Sequence, residues 1–145
     1  MLETKYGRLI ITESKKPEQK LAWASTYKPG DKTPLLFLDN DVIKGAFLVE
    51  AVWFWPAMME NQSPARKTQP HTHDYDEVLA LIGTNPDDPH DLCGEVEMFL
   101  NGEKHLVTKS CVTFIPAGLE HGPIRMTRID RPIFHFCCGT TKKQA

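Results

Sequence analysis

Pro70-His71-Thr72-His73-Asp74-Tyr75-Asp76-Glu77 is the stretch whose reading decides the fold. His71 and His73 are two residues apart, so on an extended strand both side chains leave the same face and can share one ion. Glu77 stands four residues beyond His73, which on a continued strand carries it roughly 13 Å away at about 3.3 Å per residue. Donor atoms sit only about 2.0–2.2 Å from a metal of this kind. The chain therefore has to double back within Asp74-Tyr75-Asp76, where two turn-forming aspartates stand. A strand end, a tight turn and a new strand return Glu77 to the histidines. The run Glu77-Val78-Leu79-Ala80-Leu81-Ile82 is apolar and partly β-branched, and Gly83-Thr84-Asn85-Pro86 stops it, so it reads as a buried strand.

Pro116-Ala117-Gly118-Leu119-Glu120-His121 delivers a further histidine on a proline-glycine turn. A lone histidine is more often a core or surface residue than a ligand. An HxH pair followed by a turn and a carboxylate, with a second turn ending on histidine, is a much rarer combination. The expected metal ligands are His71, His73, Glu77 and His121.

The rest of the chain restricts the setting. Its 145 residues, 41% of them hydrophobic, suffice for one globular domain over 1–145 with a proper core. A formal net charge of −2 with 17 scattered Lys and Arg gives no nucleic-acid footprint and no polybasic membrane patch. The N-terminus lacks a basic start followed by a long apolar segment, and no apolar run reaches bilayer length, so a cytoplasmic location is expected. Cys93, Cys111, Cys137 and Cys138 lack metal-ligand spacing and read as free thiols. Cys111 and one of the C-terminal pair are expected to pack as small hydrophobes.

Short strand-like segments recur at Arg8–Thr12, Leu35–Leu38, Ile43–Trp55, Val78–Ile82, Glu95–Leu100, His105–Thr108, Cys111–Ile115 and Ile133–Cys138. Spaced strands without helical periodicity predict an all-β sandwich or barrel. Asn101-Gly102 is the strongest hairpin signal. A short helix is weakly indicated over Ser14–Tyr27. Two polar loops, Met58–Gln69 and the acidic Thr84–Gly94, are both candidates to border the metal mouth. The acidic loop lacks the spacing of an EF-hand.

These residues resemble the cupin superfamily of small β-barrels. The first cupin motif is matched in order by His71, His73, Glu77 and Gly83, and the centre of the second by Pro116, Gly118 and His121. The second motif's leading glycine is Ser110 here, its trailing asparagine is Arg125, and the glycine after Glu77 comes one residue early. The resemblance covers about 46–138 and implies a double-stranded β-helix, a jelly-roll barrel with a divalent metal inside, leaving 1–45 as extra N-terminal strands or an arm. Imidazole and carboxylate donors suit Fe, Mn, Ni, Zn or Cu and do not favour Ca. In octahedral coordination four ligands leave two positions open, and the carboxylate favours a reducible ion, so Fe is the first expectation.

Other residues are candidates of lower rank. His135, in an apolar strand, either faces the metal or hydrogen-bonds in the wall, and Tyr75 is a candidate donor or acid/base group beside the ligands. Arg125 is a candidate for binding a substrate carboxylate through its guanidinium fork. Trp53 and Trp55 share a face and are candidates for substrate-pocket lining or a dimer interface. The expected function is a metal-dependent enzyme on a small oxygenated metabolite, either an Fe(II)-type dioxygenase or a metal-assisted isomerase or lyase. The rival is a non-enzymatic module that binds a metal or small ligand. A small-molecule partner and a homodimer are expected, with neither nucleic acid nor membrane as a partner.

Overall fold

The computed structural model describes residues 4–13, 30, 32–60 and 69–141. Its strands are β1 (Lys32–Leu38), β2 (Leu48–Phe54), β3 (Glu77–Ile82), β4 (Asp91–Leu100), β5 (Glu103–Lys109), β6 (Cys111–Ile115), β7 (His121–Ile129) and β8 (Ile133–Gly139), with a helical turn α1 (Ala57–Glu60). All pairings are antiparallel, in a five-stranded sheet ordered β1-β2-β8-β3-β6 and a three-stranded sheet ordered β5-β4-β7.

Strand alternation builds the core. Along β2, Leu48, Glu50, Val52 and Phe54 are buried while the residues between them are half exposed. Val52 and Phe54 meet Leu79 and Leu81 of β3, Ile115 of β6 and Ile133 of β8 from the same sheet, and Leu92, Val96, Met98 and Ile129 of the facing sheet, while Leu48 packs with Phe37 of β1. Each such aliphatic side chain removed from water contributes roughly 1.5–3 kcal/mol. No helix among the described residues is long and apolar enough to cross a membrane.

The two outward faces differ sharply. On the five-stranded sheet a cross-strand row runs Leu36, Ala51, Phe136, Ala80, Val112 through all five strands, and the rows on either side carry no charged side chain. The three-stranded sheet instead carries Glu97, with Lys104 Nζ at 3.1 Å and Arg125 Nη1 at 3.6 Å.

The Asn101-Gly102 hairpin forms as expected: Leu100 pairs with Glu103, and both turn residues have positive φ, 49° and 78°. The all-β architecture also agrees with the sequence reading. Other segments differ. Arg8–Thr12 is not a strand. Gly7–Leu9 forms a 3-10 turn, with Leu9 N–H donating to Tyr6 O and Thr4 Oγ1 accepting from Gly7 N–H, so local hydrogen bonds outcompete the β-branched run. β2 begins at Leu48 rather than Ile43, because Asp39 captures the backbone N–H groups of Asp41, Val42 and Ile43 in turns and Gly45 takes φ 91°. β7 is a strand the sequence reading missed, although Ile124 and Met126 alternate with Arg125 and Thr127 along it. The helix expected at Ser14–Tyr27 lies outside the described residues.

Candidate metal centre

Two turns, locked together by backbone bonds, gather the donors. His71 and His121 form an isolated antiparallel bridge, each N–H donating to the other's carbonyl at 3.0 Å. Gly118 N–H donates to His73 O at 2.9 Å, and Ala117 N–H donates to the Asp76 carboxylate at 2.9 Å. The turn after His73 is tied to the end of β8 as well, with Thr140 N–H donating to Asp76 O. Gly118 takes φ 84°, a conformation that glycine adopts without steric cost.

The side chains then converge. Ring nitrogens of His71, His73 and His121 all lie within 4.8 Å of one another, in a position to hold one metal ion. Glu77 Oε2 lies 2.6 Å from His73 Nε2 and 3.5 Å from His121 Nε2, so the turn at Asp74–Asp76 does return the carboxylate to the cluster. His71 is exposed and His121 buried, which leaves the cluster open to solvent on one side.

Each imidazole is oriented by a main-chain acceptor. Nδ1 of His71 faces Gln69 O at 3.0 Å, Nδ1 of His73 faces Tyr75 O at 3.0 Å, and Nδ1 of His121 faces Leu119 O at 2.9 Å. A carbonyl can only accept, so each Nδ1 carries a proton, and Nε2 is the atom that each ring has left to offer a metal. His121 Nε2 is buried and has no hydrogen-bond partner among the described residues. Such an orphaned atom costs free energy unless something ligates it. Burial is the first cause lowering the His121 pKa, with the Leu119 hydrogen bond opposing it and His71 adding to it. Its ring is held neutral. The donor set and this orphaned nitrogen fit a transition metal.

Of the candidate catalytic residues Tyr75 sits beside the cluster, whereas His135 pairs with Leu81, four residues along β3 from Glu77, and both are tied down. Tyr75 stacks on His73, ring centroids 3.9 Å apart and planes within 2°. Burial, then the Glu77 charge, pushes its phenol up to about 12. His135 resolves as a wall residue: its Nδ1–H donates to Ala80 O at 2.9 Å, its ring lies against Phe54, and burial holds its pKa down at about 4.

The candidate substrate residues fall elsewhere. Arg125 is exposed on the outward face of the three-stranded sheet, beside Glu97, because β7 alternation turns its neighbours Ile124 and Met126 inward. Trp53 and Trp55 stack at 5.5 Å on the outward side, with Trp55 Nε1–H donating to Thr33, while the intervening Phe54 fills the core. They do not line the barrel interior. Of the expected loop Thr84–Gly94, Asp91–Gly94 belongs to β4, and the remainder, Thr84–His90, follows the far end of β3 from Glu77 and so does not border the cluster. In the Met58–Gln69 segment, α1 covers the start, 61–68 lie outside the described residues, and Gln69 supplies the carbonyl that orients His71.

A second polar group inside the wall escaped the sequence reading. Glu50 is buried among apolar residues of β2, Cys137 Sγ–H donates to it at 3.7 Å, and inward-facing Lys32 has its pKa lowered by burial to about 8 against the opposing pull of Glu50. Burial holds the Cys137 thiol well above its usual range, in its protonated form. The period-2 alternation Leu48-Val49-Glu50-Ala51-Val52 is the signal that places Glu50 inside.

No protein-family model matches the chain, and no curated protein matches it. Solved structures do. A recombinant oxalate oxidase in complex with glycolate superposes with a TM-score of 0.54 at 15% identity, over 95% of this chain and 62% of that one. An oxalate oxidase in complex with the substrate analogue glycolate gives 0.51 at 16% identity, over 83% of this chain and 56% of that one. An RmlC-like cupin from Shewanella frigidimarina gives 0.48 at 14% identity, over 81% of this chain and 83% of that one. The chain thus spans less than two thirds of the oxalate oxidases it matches. Taken with the two motifs and the two facing antiparallel sheets, the two matches above 0.5 show that the chain has the jelly-roll fold that the cupin motifs imply.

Proposed function

We propose that the protein is a metal-dependent enzyme acting on a small oxygenated metabolite, as an Fe(II)-type dioxygenase or a metal-assisted isomerase or lyase. The carrying observation is the set of three imidazoles whose Nδ1 atoms are all spoken for by carbonyls, leaving three Nε2 atoms aimed together beside Glu77. His71, His73, His121 and Glu77 would hold the ion, with iron the first candidate and Mn, Ni, Zn or Cu the alternatives. When bound, the ion supplies Lewis-acid polarisation of a substrate oxygen and, if reducible, redox chemistry with dioxygen. The chain's own contribution is orientation: the carbonyls of Gln69, Tyr75 and Leu119 fix the rings, and the exposed side at His71 admits a small ligand. Glycolate in the similar oxalate oxidases supports a small oxygenated acid as substrate.

Tag-free protein analysed for metal, then loaded anaerobically with Fe(II) and assayed in an oxygen electrode against diketones, catechols and 2-hydroxy or 2-oxo acids, tests this reading. Substrate-dependent oxygen consumption that disappears in His121→Ala is expected. Consumption by none of them removes the dioxygenase version, and absence of a stoichiometric transition metal removes the metal assignment.

One observation favours the second reading, a non-enzymatic binding module. With Tyr75 raised to about 12 and His135 lowered to about 4, neither candidate is poised to exchange protons near neutral pH. The same oxygen-electrode assay, together with product analysis of those compounds for isomerisation or cleavage, negative throughout with metal bound, would favour that module.

The chain is further proposed to form a homodimer through the uncharged outward face of the five-stranded sheet. Val112 and Phe114, on the edge strand β6, are 64% and 60% exposed, and nearby Phe47 is 57% exposed, a cluster of exposed apolar side chains that association would cover. A second copy carries the same uncharged rows and matches them.

A further inference from the structure

We propose that Tyr75 is the positioning residue of the metal centre, that it sets the plane of the His73 ring, and that residue 139 must be glycine for it to do so. The proposal rests on the metal reading above. Tyr75 holds His73 twice: its carbonyl accepts the Nδ1–H at 3.0 Å, and its ring lies flat on the imidazole at 3.9 Å with planes within 2°. The other two ligands are held differently. His71 and His121 take their carbonyls from residues on the N-terminal side, Gln69 and Leu119, and brace each other through the backbone bridge. His73 belongs to no strand or bridge, and its anchor stands in the turn that follows it. One hydrogen bond leaves an imidazole able to tilt about its Nδ1···O contact. A parallel stack removes that tilt, and with it the freedom of Nε2 to swing away from Glu77 Oε2, 2.6 Å distant.

The Tyr75 ring is in turn seated on bare backbone. A Cβ at Gly139 would fall 2.9 Å from Tyr75 Cε2, closer than side chains pack, and 3.1 Å from Cδ2, with Leu48 Cδ2 already in van der Waals contact at 3.4 Å on another side. Gly139 ends β8, where it pairs with Leu48 on one side and with the ligand-bearing Glu77 on the other. Its φ is not in the left-handed region, so what this position needs from glycine is space. Phe37 and Leu48 pack beside the tyrosine and complete its seat. A methyl group at 139 therefore moves Tyr75, and Tyr75 moves His73.

The test pairs Co(II) titration, followed by visible absorption, with 15N–1H NMR of the histidine rings in the metal-free protein, thermal melting serving to confirm the fold. Removing an orienting partner of a metal ligand typically costs about 10–100-fold in affinity. Tyr75→Leu and Gly139→Ala should each weaken Co(II) binding within that range, and Tyr75→Phe, which keeps the stack, should restore it to within about twofold. In the metal-free protein the His73 ring protons should lose their ring-current shift in Tyr75→Leu and Gly139→Ala but keep it in Tyr75→Phe. Gly139→Ala should add little further loss in a Tyr75→Leu background, since the clash is with the tyrosine. Folded Tyr75→Leu with unchanged affinity and unchanged His73 shifts overturns the proposal, as does a Gly139→Ala effect of equal size in both backgrounds. Should Tyr75→Leu not fold, Gly139→Ala against Tyr75→Phe gives the same decision. If the native chain takes up no Co(II), the metal reading fails separately, and the metal-free His73 shifts alone decide whether Tyr75 orients the ring.

Discussion

His71 and His121 face each other in a bridge of two backbone hydrogen bonds, each 3.0 Å long, although β3 to β6 lie between them in the chain. The main chain thereby sets the separation of two ligand rings before any side chain chooses a rotamer. Such preorganisation spares a bound ion the cost of ordering its own site.

His121→Ala should abolish stoichiometric metal uptake, because it removes the one ligand whose Nε2 is buried without a hydrogen-bond partner among the described residues. His105→Ala serves as the control, since His105 is exposed and paired with Glu103 at 2.9 Å. Elemental analysis of tag-free protein reads the difference, and equal metal content in the two variants would refute the assignment.

His135 predicts a specific acid sensitivity. Its folded pKa is lowered from 6.5 to about 4, chiefly by burial, so between those values the unfolded chain binds a proton that the folded chain does not. Stability therefore falls as pH drops from 6.5 towards 4 and levels off below, by roughly 3 kcal/mol at about 1.4 kcal/mol per unit. Urea denaturation at pH 7 and pH 4.5 should show a smaller loss in His135→Asn, which can keep the donor to Ala80 O without the titration. An undiminished loss in that variant would place the acid sensitivity elsewhere.

Glu50 and Lys32 predict an asymmetry between single and double substitution. Glu50→Ala removes one charge that favours the half-buried Lys32 cation and the acceptor of the Cys137 thiol, and should destabilise by about 1–3 kcal/mol. Replacing both, as Lys32→Met with Glu50→Leu, should recover most of that loss. Chemical denaturation of the three proteins decides it, and a double variant no better than Glu50→Ala would rule out the charge coupling.

Phe114→Lys together with Val112→Glu should turn a dimer into a monomer of half the mass by light scattering, since it places charge on the exposed edge of the uncharged face. A monomeric native protein, or a charged variant that stays dimeric, would defeat this interface.

Short-range information was legible without a structure. The two-residue spacing of His71 and His73 and the aspartates before Glu77 forced a turn, and the structure closes it to 2.6 Å between His73 and Glu77. Asn101-Gly102 named its own hairpin because both residues tolerate positive φ. Long-range information was not legible. Arg125, His135 and Trp53 carry side-chain chemistry that invites a binding role, yet where each points depends on strand pairing and on which face a sheet buries.

The sequence by itself thus determined an all-β chain and the turn that returns Glu77 to His73, because turns and alternation are local properties of the backbone, while His121 was named from its proline-glycine turn and the cupin resemblance. Only the tertiary structure decided that Tyr75 lies flat on His73, that Gly139 makes room for it, and that His135 belongs to the wall. Those relations join β8 to a turn far earlier in the chain. They arise from packing, where the volume left by one residue fixes the position of another.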